Sequence, residues 1–324
     1  MTIIRKALVS GLISALTAGM ACELSAQTFP SKPIRIITAE AGGGVDLISR
    51  LIAQGVGTNL NQQVLVDNRG GAGGAIAGEA VARAPADGYT ILLYGSAIWL
   101  APFLRSNVPY DPVKDFAPIT LAARAPNIIV VHPSLPARDV KELIALAKVR
   151  PGELNYASAS SGSSSHLAPE LFKSMAGVNI IRIAYKGTGP ALNDVLSGQV
   201  HMMIPNAASV APQVKSGKLR GLAVTSPSPS ALFPGMPTVA ASGLPGFESG
   251  TIAGMFAPAR TPSSVINRLN QEITRALAQP DIKDRLFTPG AEAVGSTPEQ
   301  LASTVKTEMM RFGKIIKDAG IRDD

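Results

Sequence analysis

The stretch "IRIITAEAGGGVDLISRLIA", Ile34 to Ala53, decides the fold. A β-rich run at residues 34–37 leads through three consecutive glycines, Gly42, Gly43 and Gly44, into apolar residues at helical spacing from about Asp46. Strand, bare loop and helix in that order make one βα unit. The unit recurs: residues 64–66 precede "RGGAGG" at Arg69 to Gly74 and a helix from about Ile76, and residues 90–94 lead into another loop. A second series places strands at 127–131, 154–156, 180–183, 200–204 and 219–224, with helices at 140–149, 165–175 and 190–196. Alternation of this kind predicts an α/β fold of doubly wound units on parallel sheets.

A Pro/Ser/Gly-rich passage follows Thr225, "SPSPSALFPGMPTVAASGLPG". Its prolines forbid a regular element and suit a surface return crossing. The remainder reads as helical. Thr261-Pro262 and Thr297-Pro298 each look like an N-cap followed by the first helical residue, and Gln300 completes a capping box with Thr297. Val265, Ile266, Leu269, Ile273 and Leu277 form one apolar stripe, which predicts docking back onto the first unit.

The first residues have the make-up of an export signal. Arg5 and Lys6 precede an apolar stretch at residues 7–21, and "LSA" at residues 24–26 offers small residues for cleavage near Ala26. The stretch is short for a membrane span, which needs about 20 residues. Lipidation at Cys22 is the weaker reading, because Gly19 stands where a lipoprotein signal carries Leu. Cleavage removes the sole cysteine, so the expected exported product has no disulfide. It also removes Arg5, Lys6 and Glu23, lowering the net charge by one from +7. That excess is scattered and lacks interleaved aromatics, which argues against nucleic acid.

Three loops share one chemistry: Ala41 to Asp46, Arg69 to Gly74, and "SASSGSSSH" at Ser158 to His166. "YKGTGP" from Tyr185 is a weaker fourth. In a doubly wound sheet such loops lie at the strands' carboxyl ends, where ligands bind. The first turn of each following helix leaves N–H groups unpaired, and glycines let a ligand oxygen approach them. Nucleotide motifs fail. Leu47 and Ile76 stand where the third glycine of G-x-G-x-x-G belongs, and Gly217-Lys218 runs into Leu219 where a phosphate loop needs Ser or Thr. No cofactor is expected.

A Ser/His hydrolase built on Ser158 to His166 is the rival. No G-x-S-x-G elbow supports it, and His132 and His201 are the other histidines. His166 and Glu170, four apart on a helix, lack a third ligand for a metal, so they read as a polar first turn and a surface glutamate. Tyr185 is either a strand-end residue or a pocket wall with a polar tip.

These residues resemble the solute receptors of tripartite tricarboxylate transporters, the Bug receptors. "FPSKPIRIITAEAGGGVDLISRLIA", "VLVDNRGGAGGAIAGEAVARAPADGYTILLYGS", "VPYDPVKDFAPIT", "NYASASSGSSSHLAPELFKSMAG", "AYKGTGPALNDVLSGQV" and "LFPGMPTVAASGLPGFE" look like family signatures, in family order. The resemblance implies a type II periplasmic binding protein, with residues 27–125 and 250–324 in one lobe and 126–249 in the other. It implies no enzymatic activity, lobe closure on a small organic acid or amino acid, and delivery to large and small integral membrane permease subunits. A signalling sensor that reads the closed form is a further reading with the same fold. In the family, the loop matching Ala41 to Asp46 faces the one matching Ser158 to Ser165, and main-chain amides with waters hold the carboxylate. The expected contacts are therefore Glu40, Ala41, Gly42, Gly43, Gly44 and Asp46 on one side. Ser160, Ser161, Gly162, Ser163, Ser164 and His166 stand on the other, with Gly73, Ser96, Tyr185 and Asn206 completing the set.

One stretch departs from the family. Where it commonly reads Pro-Phe-Ala-Pro, this chain has Thr38-Ala39-Glu40-Ala41, which puts a carboxylate beside the anion site. Glu40 either points to solvent or caps its own helix end, or else it pairs with a ligand cation or disfavours a second carboxylate. Asp46 either fixes the loop through its N–H groups or is a favourable charge in the helix's first turn.

Overall fold

The computed structural model describes residues 29–39, 41, 44–159, 162–185, 187–288 and 290–322. The expected signal segment and Cys22 lie outside the described residues. The elements below belong to one compact unit, Lys32–Asp324.

The opening stretch folds as read. β1 (Ile34–Thr38) runs into α1 (Gly44–Leu60), whose Ile48, Leu51, Ile52 and Val56 face the core. β2 (Val64–Asn68) is followed by a 3-10 turn (Ala72–Gly74) and α2 (Ala75–Ala82), then β3 (Thr90–Gly95) and α3 (Ala97–Leu104). β4 (Phe116–Pro126) leads out of this layer to β5 (Ile128–Val131) and α4 (Val140–Val149). β6 (Asn155–Ser158), α5 (Ser164–Ala176), β7 (Ile181–Ala184), α6 (Thr188–Leu196), β8 (Met202–Met203), α7 (Ala207–Lys215) and β9 (Arg220–Val224) follow. After the proline-rich passage come β10 (Gly250–Pro258), α8 (Ser263–Leu277), α9 (Pro280–Phe287), β11 (Glu292–Ala293) and α10 (Pro298–Asp318).

The strands form two sheets, ordered β11-β4-β10-β3-β1-β2 and β7-β6-β8-β5-β9. This is the expected arrangement of two α/β lobes, one on each sheet. The sheets are mixed, which corrects the expectation of parallel pairing. β1 pairs parallel with β2 and β3, and β6 with β7 and β8. β10 runs antiparallel to β3 and β4, and β5 antiparallel to β8 and β9. The cause is the double crossing. β4 leaves the first sheet where β10 returns, and β5 enters the second where β9 leaves, so each adjacent pair runs in opposite senses.

The terminal helices behave largely as read. α8 buries Ile266, Leu269, Ile273 and Leu277, and Asn270 Nδ2 donates to Ile119 O at 2.8 Å and Ser296 O at 2.7 Å, which ties it to the first lobe. Thr297 and Gln300 form the expected capping box. The N-cap of α8 is Pro262, not Thr261, whose hydroxyl turns back to Pro258 O at 2.7 Å. On the other face of the first sheet, rings pack in sequence. Trp99 lies 5.8 Å from Phe256, Phe256 6.2 Å from Phe116, and Phe116 edge-on 5.4 Å from Tyr110.

Candidate functional site

At the carboxyl end of β1 the backbone is held by side chains. Thr38 is fully buried, its hydroxyl donating to Leu93 O at 3.0 Å and accepting from Ser49 at 2.9 Å. Thr38 and Asn68 are register partners, which places Asn68 beside the glycine loop. Asn68 Nδ2 donates to Ala39 O at 2.7 Å and to Asp46 Oδ1 at 2.8 Å. Arg50 Nε donates to Asp46 Oδ2 at 3.1 Å, and Arg50 Nη2 to Asn68 Oδ1 at 3.0 Å. Asp46 is buried, so this carboxylate faces protein donors rather than solvent. The Asp46–Asn68–Arg50 triangle clamps both ends of the turn that starts α1.

The second loop is clamped by a different cation. Arg182 Nε donates to Ser158 Oγ at 2.8 Å and Arg182 Nη2 to Ala159 O at 3.2 Å, while Ala159 N donates to Ser165 Oγ at 3.1 Å. Gly162 takes φ +75°, and a Cβ there would come within 2.8 Å of Leu104 Cδ1 at the end of α3. A bare residue thus lets the second lobe's loop touch the first lobe. Gly162 N donates to His166 Nδ1 at 3.2 Å. Burial, then the neighbouring Arg182, push the His166 pKa down to about 4, so the ring stays neutral and serves this turn.

Glu170 corrects a sequence expectation. It is not a surface residue: its side chain is 11% exposed and accepts from Tyr156 OH at 2.6 Å and Lys173 Nζ at 2.7 Å. Among the described residues no group of three or more His, Cys, Asp and Glu could hold a metal ion. No described helix is long and apolar enough to cross a membrane.

Between the start of α1 and the hinge strands lies a cavity of about 330 Å³. Gly44, Val45, Leu47 and Ile48 of α1 line one side, and Leu286 and Ala291 another. Its floor is Ala123, Ala125, Thr251 and Ala253, which register pairs onto one face of the β4–β10 ribbon. Arg124 also borders it but is the register partner of Ile252 and Glu292 on the opposite pleat, and its Nη1 bonds Glu248 Oε1 at 3.2 Å. Asn206 is the second lobe's contribution. It caps α7, its Oδ1 accepting from Ala208 N at 3.0 Å, which leaves Nδ2 without a partner among the described residues.

Behind the hinge ribbon a smaller cavity of about 110 Å³ is lined by Arg124, Glu248, Glu292 and Glu308, among others. The Glu308 carboxyl accepts from Trp99 Nε1 at 3.1 Å and is hydrogen-bonded by Ser96. Burial pushes its pKa up to about 7, against the pull of those bonds and of Arg311. In the folded state the acid therefore holds its proton across a window, from about pH 4.5 to 7, where the unfolded chain has lost it. Stability from this group is full at the acid end and falls as pH rises through 7. His166, with a lowered pKa, has the opposite slope between about 6.5 and 4. The difference between wild type and Glu308→Gln isolates the acid. Denaturant titrations should show Glu308→Gln more stable by about 1–3 kcal/mol at pH 8 and its advantage shrinking toward pH 5.

The expected site residues fall into groups. Gly44 and Asn206 meet at the larger cavity. Asp46 sits beneath α1's first turn, with Ala41 exposed in the loop before it. Gly162, Ser163, Ser164 and His166 form the turn after β6 and the start of α5. Gly73 belongs to the 3-10 turn, where a Cβ would come within 2.9 Å of Arg105 Nη2. Ser96 is turned to Glu308, and Tyr185 OH donates to Asp194 Oδ2 at 2.6 Å. Glu40, Gly42, Gly43, Ser160 and Ser161 lie outside the described residues. Sequence reasoning missed Asn68, Arg50, Arg182 and Glu308. Asn68 carried a faint signal as the polar residue closing β2 just before "RGG".

Comparison with known proteins places the chain in a family. A profile described as "Tripartite tricarboxylate transporter family receptor" matches residues 48–321. The protein of the tcbD-tcbE intergenic region of a Pseudomonas species is 40% identical over 314 residues, covering 96% of this chain and 94% of its own. BugT of Bordetella pertussis is 37% identical over 309 residues, covering 94% and 95%. Among solved structures, R. palustris Rpa4515 with adipate is 36% identical, with a TM-score of 0.73 over 90% of this chain and 99% of that one.

Proposed function

Since the chain belongs to the tripartite tricarboxylate transporter receptor family, we propose that it captures a small carboxylate-containing metabolite between its lobes. It delivers the ligand to the large and small membrane permease subunits from the periplasm, without turning it over. The observation carrying this reading is the pair of braced loops, one per lobe, at the carboxyl ends of β1 and β6. Each feeds a helix start, α1 or α5, whose first-turn N–H groups have no intrahelical partner.

The energetics are adequate. One helix start favours an anion by about 0.3–1 kcal/mol, and up to about 2 when partly buried. Hydrogen bonds to a charged group contribute about 1.5–3 kcal/mol each. Micromolar affinity corresponds to about 8 kcal/mol. Two opposed helix starts with four or five such bonds reach it after association costs. Because the contacts come from both lobes, they favour the closed arrangement. With Nδ1 accepting from Gly162 N, the neutral His166 ring carries its proton on Nε2 and has no free lone pair to take a proton from a serine, which supports a binding role over hydrolysis.

A thermal-shift screen over organic acids and acidic amino acids tests the proposal. A ligand at about 100 times its dissociation constant should add about 2.7 kcal/mol of stability. Saturable stabilisation with the ligand recovered intact is the expected outcome. Cleavage of an ester or amide, abolished by replacing one serine of the Ser158 to Ser165 loop, would overturn it.

A further inference from the structure

We propose that Asn127 and Asn206 form a carboxamide pair at the second lobe's edge of the cleft, which reads a hydroxyl group on the bound acid. The inference rests on the receptor reading above and adds a specificity element to it. Asn127 is fully buried, yet neither its Oδ1 nor its Nδ2 has a hydrogen-bond partner among the described residues, and each exposes less than 1 Å². The fold uses only its main chain. Asn127 N donates to Thr225 Oγ1 at 2.9 Å, and Asn127 O accepts from Thr225 N at 2.9 Å. An unpaired amide sealed from water opposes folding, and a leucine of nearly the same shape would be favoured there. A polar group kept in that condition points to a partner from outside the chain.

Register places the amide at the cleft. Asn127 and Asn206 face each other across an antiparallel bridge, and Ile128 N donates to Pro205 O at 3.1 Å. They are thus a non-hydrogen-bonded pair, the kind whose side chains stand closest. Asn206 lines the cavity of about 330 Å³, as do Ala123 and Ala125, which precede Asn127 on the same pleat of the crossing segment. Asn127 sits where the chain passes between lobes, so lobe movement on ligand capture changes what covers it. Asn206 Oδ1 is committed to Ala208 N at 3.0 Å, and Ser209 N donates to Asn206 O at 3.1 Å, so the start of α7 is largely paired and is not a further anion receptor. What the pair offers is uncharged: the Nδ2 donors of both residues and the Oδ1 acceptor of Asn127. A hydroxyl donates and accepts at once, so it answers both kinds of group. The receptor reading assigns carboxylates to the starts of α1 and α5; the pair therefore sorts acids by their hydroxyl, whatever their number of carboxylates.

Calorimetric titration of the protein with malate against succinate, and lactate against propionate, compares acids of equal carboxylate number, so the starts of α1 and α5 are engaged alike within each comparison. In at least one of them the hydroxy acid should bind at least about tenfold more tightly, a gap of about 1.4 kcal/mol. Asn127→Leu should bring that ratio to within about twofold by weakening the hydroxy acid alone, and should raise the thermal midpoint because the unpaired amide is gone. Asn206→Ser keeps a capping oxygen for α7 and removes the Nδ2 donor, so it should narrow the ratio as well and serves if Asn127→Leu fails to fold. A lowered midpoint with an unchanged ratio in Asn127→Leu would mark a purely structural amide and overturn the inference. So would equal affinities within both comparisons in wild type, an unchanged ratio in folded Asn206→Ser, or no binding of any of these acids. The receptor reading survives those results if another acid in the thermal-shift screen is bound intact, and falls only if none is.

Discussion

Asp46→Ala is expected to weaken carboxylate binding by about 10- to 100-fold and to lower folding stability by about 2–4 kcal/mol. The carboxylate accepts from Asn68 Nδ2 at 2.8 Å and Arg50 Nε at 3.1 Å while buried beneath the first turn of α1. Arg50 is half in solvent and recovers water when its partner goes, so its share of the loss is small. Asn68 does not recover so easily. Its amide also holds Ala39 O, so losing Asp46 frees one end of the loop that the proposed function assigns to the ligand. The affinity loss is therefore a loss of preorganisation, and it separates from stability in Asp46→Asn. That variant keeps an acceptor for Asn68 but no charge for Arg50, and should fall between wild type and Asp46→Ala in both measurements. Calorimetric affinity and denaturant midpoints, taken on all three proteins, check the order. An Asp46→Ala protein with unchanged affinity would show that the loop holds its shape without the clamp.

Trp99→Ala should cost about 3–5 kcal/mol, the range for deleting a large buried ring. Trp99 is 1% exposed, packs 5.8 Å from Phe256, and donates Nε1–H to Glu308. Its removal opens a cavity in the first lobe's core and takes a donor from an acid that is already short of solvation. Trp99→Phe keeps most of the packing and loses the donor alone, so its cost should be smaller and should grow with pH as Glu308 ionises through about 7. The chain has one tryptophan, so circular dichroism, not intrinsic fluorescence, should follow unfolding in these variants. A loss below about 1 kcal/mol in Trp99→Ala would mean that α3 repacks without its central ring.

Much of this fold is legible because the apolar period changes at each glycine loop. β1 into α1 and β6 into α5 could be located from spacing and from residues that free a backbone for helix entry. The hinge strands were not legible. β4 carries Pro118 and Pro126, and β10 carries two glycines and a proline, so both look like loops although nearly all of β10 is buried. α3, "AIWLAPFL", has no polar face and contains Pro102, so it shows no amphipathic period. These segments are buried on more than one side, which erases the alternation that sequence reading depends on.

The same division runs through the site. Local chemistry marks where a backbone must be bare, because glycine and small residues at a strand's end act within a few positions of one another. It therefore determined the βα units, the loops and the absence of nucleotide motifs, while the receptor family was carried by the resemblance of whole stretches in family order. Which side chains brace those loops was decided only in three dimensions. Asn68 reaches Asp46 across 22 positions, Arg182 reaches Ala159 across 23, and Trp99 reaches Glu308 across 209. So was the turning of Arg124 away from the cavity, since register between β4 and β10 sets which pleat faces it. Pairing between distant strands is a property of the packed chain, and no local pattern encodes it.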